Sequence, residues 1–199
     1  MLAHPLLPAA KMAHLILASS SPRRQELLRQ LGLEFDIHSP DIDESTRAGE
    51  SVGEYVERLA RQKAQAVLAQ YPESVIIAAD TSLGLDGTII GKPESKQHAF
   101  EIWSKLSGRH HDVFSGVCIA TSRQISSIVV HTQVEFQTLS PNDMERYWAT
   151  GEPEGKAGAY AIQGIAAQYI PRIFGSYTNV VGLPLHETIQ LLKAVKALN

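Results

Sequence analysis

At 199 residues the chain is long enough for one domain with a substantial core, and its 44% hydrophobic and 20% charged residues are ordinary for a globular protein. Eighteen Lys and Arg against 21 Asp and Glu leave a formal charge of −3, which excludes a broadly basic nucleic-acid surface, so an anionic ligand must be held by local positive charge. A single cysteine excludes an internal disulfide, no apolar run reaches the roughly 18 residues of a membrane span, and the compartment expected is the cytoplasm.

Residues 1–11, with two prolines and weak basic character, are too short for a signal peptide and read as a disordered extension. Met12 is an alternative start, and a single domain is expected over 12–199. Leu15–Ala18 reads as a buried strand. Ser21 is a natural N-cap and Pro22 suits a first helical position, so a helix is predicted over 22–31, stopping at Gly32. Glu34–His38 alternates like a strand, and the polar segment 39–51 reads as a loop carrying Asp41, Asp43 and Glu44. Residues 52–70 form the clearest amphipathic helix, with Val52, Tyr55, Val56, Leu59, Ala66 and Val67 on one stripe. Val75–Ala79 is a short apolar strand. Leu83–Leu85 and Thr88–Ile90 flank Asp86-Gly87, a strong hairpin signal. A helix follows over 95–106, then two antiparallel strands, Val113–Thr121 and Ile125–Thr138. Another helix runs from Pro141 to about Ala149. The glycine-rich segment 151–182 shows no clear period, and a last helix runs from Pro184 to about Ala197. The order predicts an α/β fold with a mixed sheet.

Four features carry chemistry. Arg23 and Arg24 fall in the first turn of a helix, beside the positive end of its dipole, which is unfavourable unless an anion binds there; arginine matches phosphate bidentately. Asp80 closes the strand Val75–Ala79, at the carboxyl end where open α/β sheets place ligands. If Glu44 or Asp43 approaches it, the carboxylates would hold a hard divalent cation. Lys63 lies on the apolar stripe of its helix, where it either snorkels to water or presents an ammonium to an anion. Lys92, in Gly91-Lys92-Pro93, is held at a loop corner. Cys118 and both tryptophans read as core. The eight histidines show no metal-ligand spacing, and His110-His111 read as surface or turn residues.

Several segments carry a resemblance. Leu15-Ile16-Leu17-Ala18-Ser19-x-Ser21-Pro22-Arg23-Arg24-x-Glu26-Leu27-Leu28 resembles the opening of the Maf family. Asp43-Glu44-Ser45, Ala60-Arg61-x-Lys63-Ala64, Ala79-Asp80-Thr81, Gly91-Lys92-Pro93, the run Gly155–Gly164 and Val180-Val181-Gly182-Leu183-Pro184-Leu185 match it in order, over about 14–197. The resemblance implies an elongated, twisted mixed sheet flanked by helices, like that of inosine triphosphatases, with a central ligand cleft. It implies a house-cleaning nucleoside triphosphate pyrophosphatase that cleaves between the α and β phosphates with Mg²⁺ or Mn²⁺. It also brings homodimerisation into view.

The branch of the family acting on dTTP, UTP and related modified pyrimidine nucleotides is similar to this chain at Arg23, Thr81 and Gln163, which are thereby implied in base selection. The 7-methyl-GTP branch has Trp, Gln and Glu there. An amide at Gln163 both donates and accepts, matching the edge of uracil or thymine. The resemblance further implies that Ser19 and Arg24 contact the triphosphate, that Lys63 and Lys92 stabilise the departing pyrophosphate, and that Glu44, with Asp80, binds the metal. Asp80 is implied as the base. The alternatives are a non-catalytic nucleotide-binding regulator of cell division, and a pyrophosphatase for 7-methyl-GTP or non-standard purine triphosphates.

Overall fold

Strand periodicity divides the apolar residues of the sheet between two faces. In β1 (Leu15–Leu17) and β3 (Val75–Leu85), Leu15, Leu17, Val75, Ile77 and Ala79 point into one core, while Ile16, Ile76 and Ala78 point into the other. The computed structural model describes residues 14–198. The expected extension at 1–11 lies outside them.

Seven strands form one mixed sheet. β2 (Asp36–Ile37), β1 and β3 run parallel, and β5 (His110–Ala120), β6 (Ile125–Glu135) and β7 (Arg172–Phe174) continue antiparallel in that order. β4 (Thr88–Ile90) pairs with the far end of β3, through Asp86 and Gly87 at φ 51° and 76°. On one face lies α2 (Val52–Leu68), started by a reciprocal capping box between Ser51 and Glu54. It packs Ala60, Ala64 and Val67 against Ile76, Ala78, Cys118 and Ala120. The larger core on the other face includes residues of α1 (Pro22–Gln30), α3 (Lys96–Leu106), α4 (Pro141–Trp148), α5 (Tyr177–Val181) and α6 (Leu185–Ala194).

The expected strands Val75–Ala79 and Leu83–Leu85 are one strand. Asp80, Thr81 and Ser82 interrupt the apolar run, yet β5 pairs with β3 continuously from Ile76 to Gly84. Asp80 therefore sits in mid-strand, not past a strand end. Glu34–His38 shrinks to two exposed residues at the sheet edge, and β6 stops at Glu135. The segment 151–182 resolves into two 3-10 turns, Ala157–Ala159 and Ile165–Tyr169, followed by β7 and α5.

Trp103 and Cys118 are core, as expected, and burial pushes the Cys118 thiol up to about 12. Trp148 is half-buried. The reading of both adjacent histidines as surface residues fails for His111. On a strand the two face opposite ways; His110 is exposed, while His111 is 1% exposed and bonds Tyr160 Oη at 2.8 Å. Among the described residues no helix is long and apolar enough to cross a membrane.

Candidate active site

β1 ends at Leu17, paired with Ile77, and β4 joins β3 only from Leu83 onward. On that side β3 is uncovered between them, and Asp80 and Thr81 form the floor of the notch. Being adjacent on a strand, they face opposite ways, Asp80 toward α2 and Thr81 toward α1 and α5.

Asp80 is 8% exposed and Lys63 9%. Lys63 Nζ donates to Asp80 Oδ1 at 2.7 Å and lies 2.7 Å from Glu44 Oε1. Lys63 therefore faces the cleft and does not snorkel away. One ammonium is shared by two carboxylates, one buried and one half exposed. Burial alone would raise the Glu44 carboxyl; the hydrogen bond and charge of Lys63, then the charges of Lys92 and Arg24, outweigh it and hold it below the ordinary carboxylate range. Lys92 is exposed in the turn after β4. Asp43 does not join this group: its Oδ1 accepts from the Ser45 backbone N–H.

Across the notch stands the start of α1. Ser21 is its N-cap residue but makes no side-chain cap bond, and Pro22 occupies the first turn. Arg24 Nε donates to the Gly182 carbonyl at 2.9 Å, Nη1 to Ser19 Oγ at 3.0 Å and Nη2 to Thr81 Oγ1 at 3.3 Å. Arg23 Nε donates to the Val181 carbonyl at 3.3 Å. The two arginines at the wrong end of a helix are thus partly compensated by the Val181 and Gly182 carbonyls at the end of α5. Burial lowers the Arg24 pKa, and the nearby Asp80 charge opposes that shift. Three of its five N–H donors are engaged, which leaves two for a ligand.

A family model described as Maf-like protein matches residues 14–195. The chain belongs to the Maf family. A dTTP/UTP pyrophosphatase of Acinetobacter baylyi is 75% identical over 183 residues, covering 92% of this Maf chain and 100% of that protein. One from Salmonella typhimurium is 49% identical over 188 residues, covering 94% and 95%. A HAM1 protein structure from Coxiella burnetii superposes with a TM-score of 0.50 at 19% identity, over 93% of this chain and 99% of that one, which places the mixed sheet among known folds.

Of the expected site residues, Ser19, Arg24, Thr81, Lys63, Asp80 and Glu44 are gathered around the notch of this Maf protein. Gln163 stands apart, exposed at the tip of a turn in which Gly164 N–H donates to the Ala161 carbonyl at 3.0 Å. Seven residues earlier, burial lowers the Lys156 pKa and the charge of Arg23 lowers it further.

Ser115 and Asn179 were not foreseen. Thr81 Oγ1 lies 2.7 Å from Ser115 Oγ, and Ser115 Oγ donates to the Asn179 carbonyl at 3.2 Å. Asn179 Nδ2 donates to Thr132 Oγ1 at 2.9 Å and to the Val113 carbonyl at 3.2 Å. A buried polar chain thus crosses the sheet from Arg24 to β6. The only local signal was that these small polar residues interrupt apolar runs.

Among the described residues no group of three or more His, Cys, Asp or Glu could cage a metal ion. Glu44 Oε1 and Asp80 Oδ1 both reach Lys63 Nζ, and each carboxylate has a second oxygen as a hard donor. That set fits Mg²⁺, which takes one or two carboxylates and completes its shell with water and substrate phosphate.

Proposed function

We propose that this protein hydrolyses dTTP and UTP, and related modified pyrimidine nucleotides, to the nucleoside monophosphate and pyrophosphate. The observation that carries the reading is the buried Asp80–Lys63 pair, joined by Glu44 and set opposite an arginine with unspent donors at a helix N-terminus. The relatives named dTTP/UTP pyrophosphatase support the choice of substrate.

In this reading Arg24 and Ser19 hold the triphosphate at the start of α1. Asp80 accepts a proton from the water whose oxygen attacks the α-phosphorus. The bond from the α-phosphorus to the α–β bridging oxygen breaks, and pyrophosphate leaves with that oxygen. Lys63 and Lys92 neutralise the charge that develops on it. Glu44 and Asp80 would hold a divalent cation, which adds charge neutralisation on the phosphates. Arg23, Thr81 and Gln163 select the base. The work is assigned to the cytoplasm and to free nucleotides, not nucleic acid, and gel filtration with light scattering tests the homodimer that the family brings into view.

The test is pyrophosphate release from dTTP, UTP, CTP, GTP, 7-methyl-GTP and ITP, with Mg²⁺, with Mn²⁺ and with a chelator. Release from dTTP and UTP that the chelator abolishes is expected. Release mainly from another nucleotide discards the base assignment, and tight binding without release from any discards the enzyme.

A further inference from the structure

Gln163 sits on a turn whose flanks are held by two side chains from outside it. Glu152, just after α4, directs its carboxylate at the segment that follows Gln163: Oε2 accepts from the Ile165 N–H at 2.8 Å and Oε1 from the Ala166 N–H at 3.2 Å. Oε1 also accepts from the Tyr147 hydroxyl at 2.6 Å. That hydroxyl in turn accepts from the Ala161 N–H, two residues before Gln163, at 3.2 Å. Three backbone N–H groups on both sides of one exposed residue therefore converge on a single Tyr147–Glu152 unit.

The fit is close. A Cβ added at Gly164 would lie 2.5 Å from Glu152 Cδ and 2.7 Å from Oε1, so any side chain there would push the carboxylate off the turn. The tyrosine is fixed as well: it is 3% exposed and packs against Trp103 and Tyr169, with ring centroids 5.2 and 5.8 Å away. The carboxylate places an anion where the Ile165 and Ala166 N–H groups and the Tyr147 hydroxyl point, so these three bonds are stronger than neutral ones.

We propose that Tyr147 and Glu152 are positioning residues for base recognition, acting as a clamp that holds the Gln163 turn in one conformation. The inference rests on the reading of Gln163 as the base-selecting residue. An exposed amide on a loose turn discriminates poorly, because ordering it on binding opposes the hydrogen bonds it makes. The clamp orders the turn before the nucleotide arrives. Neither residue touches the substrate.

The experiment compares Tyr147→Phe, Glu152→Gln and Gln163→Ala with the parent protein, using dTTP and CTP as probes. The phenylalanine variant keeps the ring packing and removes only the shared hydroxyl. For both clamp variants the dTTP-over-CTP ratio of kcat/KM should fall about tenfold, the scale of one lost hydrogen bond, through a raised KM for dTTP and an unchanged kcat. Adding Tyr147→Phe to Gln163→Ala should change the ratio no further. Amide hydrogen exchange at Ile165 and Ala166 should quicken in Glu152→Gln, a readout independent of turnover. An unchanged ratio in both clamp variants, with Gln163→Ala altering it, overturns the clamp and spares the reading of Gln163. An unchanged ratio in Gln163→Ala overturns that reading and the clamp with it.

Discussion

Replacing Gly116 with alanine tests the packing that brings Lys63 to Asp80. Gly116 is the β5 partner of Asp80, and α2 crosses directly above it. An added Cβ would lie 2.5 Å from Val56 C and 2.7 Å from Glu57 N, and closer still to the Val56 carbonyl oxygen. These are backbone atoms that no rotamer change can move. Ordinary contact begins near 3.4 Å, so the helix must withdraw by about 1 Å. Overpacking of this kind costs about 1–3 kcal/mol, against a gain of at most about 1 kcal/mol from stiffening the unfolded chain, so the clash wins. Each kcal/mol lowers Tm by roughly 2–4 °C in a domain of this size. The same withdrawal lifts Lys63 from its 2.7 Å bond to Asp80, and a displacement of about 1 Å at reacting groups costs up to about a hundredfold in rate. Gly53→Ala is the matched control. It lies on α2 itself, and its Cβ would meet Val129 Cγ1 at 3.7 Å and Phe114 Cδ1 at 4.0 Å, both ordinary contacts. Differential scanning calorimetry and pyrophosphate release should show Gly116→Ala impaired in both and Gly53→Ala in neither. A Gly116→Ala protein with parental Tm and turnover would refute the close-approach argument.

Asp80→Asn should remove turnover while the circular dichroism spectrum stays native; activity within about tenfold of the parent, roughly 1.4 kcal/mol of barrier, would exclude Asp80 as the base. Gln163→Glu should weaken use of dTTP and UTP relative to 7-methyl-GTP, and an unchanged preference in competition assays would remove Gln163 from base selection. Burial holds the His111 pKa at about 4, against 6.5 ordinarily. The unfolded chain then binds the extra proton first, so stability is full above pH 6.5 and is lost as pH falls toward 4. The gap is worth about 3 kcal/mol, and urea titrations should show this acid sensitivity reduced in His111→Gln. Equal pH slopes in the two proteins would contradict it.

Much of the fold was legible because its signals are local. The apolar stripe of α2, the Asp-Gly hairpin and the Pro22 start of α1 each depend on neighbours within a turn of chain. Lys63 was legible as a charge on an apolar stripe, and Asp80 as an acid after an apolar run. The continuity of β3 was not, because Asp80-Thr81-Ser82 reads as a break until β5 supplies a partner for every residue. The carbonyls that receive Arg23 and Arg24 lie 158 residues away, and those of the Ser115–Asn179 link 64 away. No window along the sequence contains both members of such pairs. Residue type and spacing left Asp43 and Glu44 equivalent; the family resemblance singled out Glu44, and the structure puts it on Lys63 and Asp43 on its own turn.

The polar chain that starts at Thr81 constrains how this site can change its substrate. Thr81 receives Arg24, touches Ser115 and lies 3.2 Å from the Gly182 carbonyl, so under the proposed function one hydroxyl would serve the base side and the phosphate side together. A longer side chain introduced there to admit another base would also remove one of the three bonds that hold Arg24 and leave Ser115 without its 2.7 Å neighbour. Retargeting at position 81 therefore demands a coordinated exchange with Ser115 and its partners, and a lineage or a designer changing that residue alone would trade affinity for the phosphates before gaining any new base.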